Sequence, residues 1–179
     1  MSAAAASSIT DEPRVDPIAA LRGVAGQFLR RFMVRGGDHE SRVRQCAALR
    51  PTDGEYDLTF IPGRAAGARY AYADFWAGRP VFGPTEKQTK LSVAVALSEE
   101  LRFGSPRSRA FPAGYRLVAP LLRPGRLWVS WAYSEPGGGG AAFDGLMFTG
   151  ERWAWFPQPW RYLTTTAPMV TSPMAIWAE

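Results

Sequence analysis

The feature that most constrains this chain is a change of hydrophobic period near Gly83-Pro84. Before it, apolar residues recur at three- and four-residue spacing, the repeat of a helix with one buried face. After it they alternate, the repeat of a strand with one buried face. A chain that spends its first half on helices and its second on consecutive strands is predicted to be α+β rather than a doubly wound α/β sheet.

The first helix is predicted over 16–34, with Asp16 as N-cap and Pro17 at the first helical position. Ile18, Leu21, Ala25, Phe28, Leu29, Phe32 and Met33 form its apolar stripe, and Arg35-Gly36-Gly37 ends it. A second helix is predicted over 38–49, stopped by Arg50-Pro51. A third opens on Thr52 and Glu55, whose T-x-x-E spacing is a capping box, and runs to Ile61. A fourth is predicted over 63–77, ended by Gly78-Arg79-Pro80.

Strands are predicted over 91–97, 127–133, 142–148 and 152–156. Thr149-Gly150-Glu151 makes the last hairpin turn, and Pro157 and Pro159 forbid further central pairing. The segment 115–122 reads as a short helix or an irregular crossing. Glu99 and Glu100 read as solvated carboxylates at a strand end. Organisation is therefore a disordered leader over 1–13, a single α+β domain over 14–163, and an extended tail over 164–179.

The run Phe143-Asp-Gly-Leu-Met-Phe-Thr-Gly-Glu-Arg-Trp-Ala-Trp-Phe156, placed after helices and other strands, resembles the final hairpin of the NTF2-like superfamily. That resemblance implies N-terminal helices packed on a curved antiparallel sheet, an NTF2-like cone. It permits an acid–base enzyme of the isomerase or cyclase type as well as binders and scaffolds, so it does not fix function.

Charge and composition narrow the function classes. The chain has 179 residues and a formal charge of +5, carried mostly by arginine. Eight arginines fall in 14–50, and six in 102–126, where there is no acid at all. Two basic segments allow nucleic-acid binding, but no nucleic-acid motif accompanies them, and such binding is disfavoured. No apolar run approaches the roughly 20 residues that span a bilayer, so no membrane partner is expected. The Ala-rich start lacks the pattern of a secretory signal, and the lone Cys46 suits a reducing compartment; a cytoplasmic location is expected.

Chemistry is sparse. His39 is the only histidine and Cys46 the only cysteine, so zinc sites of the usual kinds cannot be assembled, and neither metal nor cofactor is expected. Gly137–Gly140 lacks the Lys-Ser/Thr ending of a phosphate loop. His39 reads as a capping residue and Cys46 as core. Asp53, Glu55 and Asp57 suit a helix start. Asp144, set among aromatics, is the candidate general base, with Tyr72 or Tyr133 as hydrogen-bond donor to an oxyanion.

Aromatic rings crowd the last third, and alternation puts Trp131 and Tyr133 on one face with Trp128 on the other. Both faces carry large rings, and the second needs cover from a ligand, a partner chain or the Pro-rich tail. The leading expectation is a non-catalytic binding or interaction domain with an aromatic-lined pocket or exposed aromatic face. Trp131, Tyr133, Trp153 and Trp155 would line it, and Arg116 or Arg126 would supply a charged rim. A small apolar ligand or a protein partner, including a second copy of the chain, would occupy it.

Overall fold

A computed structural model describes residues 16–33 and 38–163. The predicted leader and tail, together with the predicted stop at Arg35-Gly36-Gly37, lie outside the described residues. Helix α1 (Pro17–Arg30) begins where Asp16 accepts a hydrogen bond from the Ile18 amide, and runs into a single 3-10 turn, Arg31–Met33. Helix α2 (His39–Ala47) is capped by Asp38. Helix α3 (Asp53–Thr59) opens on the Thr52/Glu55 capping box, with Glu55 accepting the Thr52 amide at 2.7 Å. Helix α4 (Ala65–Ala77) follows. The ends of α2 and α3 fall one to two residues inside the predicted bounds and α4 begins two residues late, as fraying end turns dictate, while the last turn of α1 is the 3-10 turn.

The sheet is a four-stranded antiparallel meander of β1 (Lys90–Leu97), β2 (Leu127–Ser134), β3 (Gly140–Phe148) and β4 (Trp153–Trp155). The fold is therefore α+β, as the change of period predicts. Register places Val93 opposite Trp131, Trp131 opposite Phe143, and Leu146 opposite Trp155. Between Val129 and Ser130 the β2–β3 register shifts, leaving Gly145 as the extra residue of a bulge at φ +86°. Only glycine fits there, because a Cβ would run into the Phe156 carbonyl.

One connected apolar core fills both sides of the sheet. On the first face lie Trp131, Tyr133, Phe143 and Trp155, packed under α1 and the segment leading out of α4. Tyr133 donates to the Leu29 carbonyl at 3.0 Å, and Phe82 stands edge-on to Trp131 and Trp155. The second face, which carries Trp128, needs no outside cover. It is roofed by the segment between β1 and β2, which folds into α5 (Ser98–Phe103), two 3-10 turns and α6 (Tyr115–Val118). Tyr115 packs on Trp128, and Phe156 adds a ring from beyond β4. Helix α7 (Pro159–Leu163) closes this side, with the Trp160 ring laid against Gly114, where a side chain would not fit.

Two local predictions are corrected. Glu99 and Glu100 do follow the end of β1, but they belong to α5, where Glu100 is engaged rather than simply solvated and accepts the Leu97 amide at 2.9 Å. The exposed aromatic face is replaced by core: Trp131, Tyr133, Trp153 and Trp155 are all buried.

Candidate functional site

The four aromatic candidates do not converge on one surface. Trp131 and Tyr133 sit deep under α1 and line no described cleft. Trp155 is enclosed by Phe75, Trp76 and Phe82, its indole N–H donating to the Asp144 carbonyl at 3.0 Å. Trp153 differs. Its ring stacks on Phe28 of α1 at 5.6 Å between centroids and meets Phe148 at 5.1 Å. These rings form part of the wall of a cleft of about 530 Å³ between α1, α2 and the β3–β4 hairpin.

Each side of this cleft follows from local sequence. Helix α1 supplies Phe28 and the 3-10 turn after it supplies Phe32, while Val24, Gln27 and Arg31 are exposed at its rim. The end of α2 supplies Ala48 and Leu49, and the Leu49 carbonyl accepts the Trp155 amide at 2.9 Å, joining the helix to the outer edge of β4. The hairpin turn is fixed by Thr149, whose amide donates to the Arg152 carbonyl at 3.0 Å and whose hydroxyl accepts the Arg152 amide at 3.3 Å.

Arg152 anchors this wall. Its guanidinium donates to both carboxylate oxygens of Glu55, at 2.7 and 2.9 Å, and also to the carbonyls of Ala48 and Arg50. Burial pushes the Glu55 carboxyl up, but the Arg152 hydrogen bonds and charge and the Thr52 contacts outweigh it and hold the group below its ordinary value. Arg152 is therefore spent on structure. Arg31 is not: it has no ion pair among the described residues, and its guanidinium carbon lies 5.9 Å from the centre of the Phe28 ring.

Asp144 is buried on the opposite face of the sheet, and lines none of the described clefts. Its Oδ1 accepts the Tyr115 hydroxyl at 3.0 Å and the Gln158 amide at 2.9 Å. Burial lifts its carboxyl to about 6, against the two hydrogen bonds and the Arg161 charge, which pull it down. Neither proposed hydroxyl donor is bonded to it. Tyr72 donates to the Pro157 carbonyl and Tyr133 to the Leu29 carbonyl across the sheet, so both hydroxyls expected to serve an oxyanion are engaged by backbone, and the hydroxyl on Asp144 is that of Tyr115.

Arg116 and Arg126 do not rim the Trp153 cleft either. Arg116 is exposed on α6, and Arg126 is half-buried at the start of β2, where its carbonyl accepts the Ser98 amide. Sequence reasoning missed Phe148 and Leu49 as cleft residues. The available signal was slight: Leu49 ends a helical stripe and Phe148 precedes a turn, positions that border a concavity only once α1 and the hairpin meet.

Among the described residues no group of three or more His, Cys, Asp or Glu side chains is placed to hold a metal, and no helix is long and apolar enough to cross a membrane. Comparison with protein-family models, with curated proteins and with solved structures gave no match.

Proposed function

We propose that this domain binds a small apolar ligand in the cleft bounded by α1, α2 and the β3–β4 hairpin. The observation that carries this reading is the stacked Phe28–Trp153 pair in the wall of a cleft of about 530 Å³. Ligand pockets commonly occupy roughly 300–1,000 Å³, with apolar walls and few polar groups to orient the guest. Here the exposed amides of Gln27 and Gln45 and the exposed Arg31 supply that polar edge. A guest with an apolar body and one acidic or hydrogen-bonding end suits this lining.

The probe is 1-anilinonaphthalene-8-sulfonate, an apolar fluorophore with one anionic group. Saturable one-to-one binding with a blue-shifted emission is expected. Ala48→Trp, which fills the cleft from an exposed helix end, is expected to weaken it at least tenfold at unchanged melting temperature. Binding that ignores Ala48→Trp, or fails to saturate, contradicts the reading.

The NTF2-like cone remains a proposal beside this one, supported by the meander with α1 laid across one face. A reducing, cytoplasmic setting is likewise proposed, on a single cysteine that is buried and free.

An acid–base reading has one observation in its favour, the buried Asp144 with its raised pKa beside the Tyr115 hydroxyl. It requires a substrate to reach the carboxylate. Carbodiimide-driven amine labelling of Asp144 in the native state supports that access, and protection from labelling rejects it.

A further inference from the structure

The arginines of the acid-free stretch 102–126 are only partly used by the fold. Arg107 pairs with Glu100 at 3.1 Å and with Asp16 at 3.4 Å, and Arg123 donates through Nε to the carbonyls of Asp57 and Phe60. Arg102, Arg109 and Arg116 are exposed and have no carboxylate partner among the described residues. The two acids of α5 are themselves engaged. Glu100 holds Arg107 and the Leu97 amide, and Glu99 accepts the Gly125 amide at 2.9 Å. With six arginines against these two acids, the segment 98–126 that carries α5 and α6 has a net positive charge.

Two large apolar side chains stand on that same surface. Phe103, the last residue of α5, is 78% exposed, and Leu117 of α6 is 68% exposed. Each has one of these arginines beside it. The Arg102 guanidinium carbon lies 5.2 Å from the centre of the Phe103 ring. Arg116, next to Leu117, reaches back across Gly104, where a Cβ would lie 3.6 Å from its Nη2. Exposed apolar tips flanked by guanidiniums without a carboxylate partner among the described residues are not needed by the core, since Leu101, Tyr115 and Val118 already bury the inner sides of these helices.

We infer that the α5–α6 face docks an acidic protein segment bearing apolar side chains. Its carboxylates meet Arg102 and Arg116, and its apolar side chains cover Phe103 and Leu117. Charge complementarity selects the acidic partner, because guanidinium forks match carboxylates in geometry as well as sign. The apolar tips select a protein rather than a polyanion. Phosphates offer nothing to Leu117, whereas aromatic residues and arginine are enriched where protein partners meet. This face lies across the sheet from the Trp153 cleft, so the two sites are separable.

The test selects random displayed 16-residue peptides against the full chain. Enrichment is expected for sequences combining Asp or Glu with Leu, Ile, Phe or Trp. Their affinity is expected to fall at least tenfold between 50 and 300 mM salt, and at least tenfold in both Phe103→Ser/Leu117→Ser and Arg102→Glu/Arg116→Glu. Ala48→Trp is expected to leave it unchanged. Circular dichroism and melting confirm that each variant folds; these side chains are exposed, so folding is expected to survive. Enriched peptides without an acidic bias, or peptides that bind both variants as tightly as the parent, overturn the inference. So does tighter binding of the same face to phosphatidylserine vesicles or to single-stranded oligonucleotides than to any selected peptide.

Discussion

The Tyr115 hydroxyl donates to Asp144 Oδ1 at 3.0 Å, and the same oxygen accepts the Gln158 amide at 2.9 Å. One buried carboxylate thus ties three separate pieces of chain together: the roof over the sheet, strand β3 and the turn into α7. Gln158 adopts φ +45°, a left-handed conformation that non-glycine residues seldom take, and its amide is thereby aimed at Asp144.

This arrangement makes stability depend on pH in a defined direction. The folded carboxyl titrates near 6, above the ordinary 3.8, so between these values the native state keeps a proton that the unfolded chain has released. Its contribution is nil below about pH 4, and it destabilises increasingly as pH rises through 6. The full cost is about 3 kcal/mol. Asp144→Asn keeps an acceptor oxygen and removes the titration. Urea unfolding is expected to show the variant gaining on the parent by up to about 3 kcal/mol between pH 4 and pH 7. A difference that stays constant across that range contradicts the assignment.

The Glu55–Arg152 pair has the opposite sign. Its carboxyl is held below the ordinary value, so the pair stabilises at neutral pH, and the contribution is lost as pH falls through the folded pKa. Arg152 is partly exposed, which screens the attraction, and Glu55→Gln is expected to cost about 2 kcal/mol at pH 7. The penalty should narrow toward pH 3, as read from denaturation midpoints at both pH values. A penalty that grows in acid would contradict this.

Gly145 is expected to tolerate no side chain. Its φ of +86° and the Phe156 carbonyl beside it make Gly145→Ala destabilising by at least about 3 kcal/mol, or prevent folding, with loss of the chain from the soluble fraction as the readout. Gly137→Ala, in open space on the hairpin loop, is the control and should stay within about 0.5 kcal/mol of the parent.

Trp155 and Tyr133 are expected to act through stability rather than recognition. Trp155→Ala removes a ring packed by Phe75, Trp76 and Phe82, and should cost about 3–5 kcal/mol. Tyr133→Phe loses the hydrogen bond to Leu29 and should cost about 1 kcal/mol while leaving fluorophore binding at the Trp153 cleft unchanged. Altered binding by a folded Tyr133→Phe protein would return Tyr133 to the site.

What could be read in the sequence was local. The Asp16 cap, the Thr52/Glu55 capping box, the alternation of β1 and β2 and the turn at Gly150 all rest on neighbours a few residues apart. Helix α5 was hidden because Ser98-Glu-Glu continues directly from a strand, and the same carboxylates that cap a helix also suit a solvated strand end. The site was largely illegible for a different reason. Which large ring is core and which borders a cleft depends on contacts such as Tyr133 to Leu29, 104 residues apart, and on how the roof segment covers Trp128. Of the four rings singled out, Trp153 alone lines a described cleft, because β4 lies at the sheet's outer edge and its first residue stacks on Phe28 of α1 at the border of the core.

The most direct test of ligand binding at the Phe28–Trp153 cleft is a nitrogen-15 amide NMR titration with 1-anilinonaphthalene-8-sulfonate. Saturable shifts are expected at Val24, Gln27 and Phe28, at Ala48 and Leu49, and at Glu151 to Trp153, with the α5–α6 face unmoved. Saturable shifts centred elsewhere, or no saturable shifts at these amides, would contradict it.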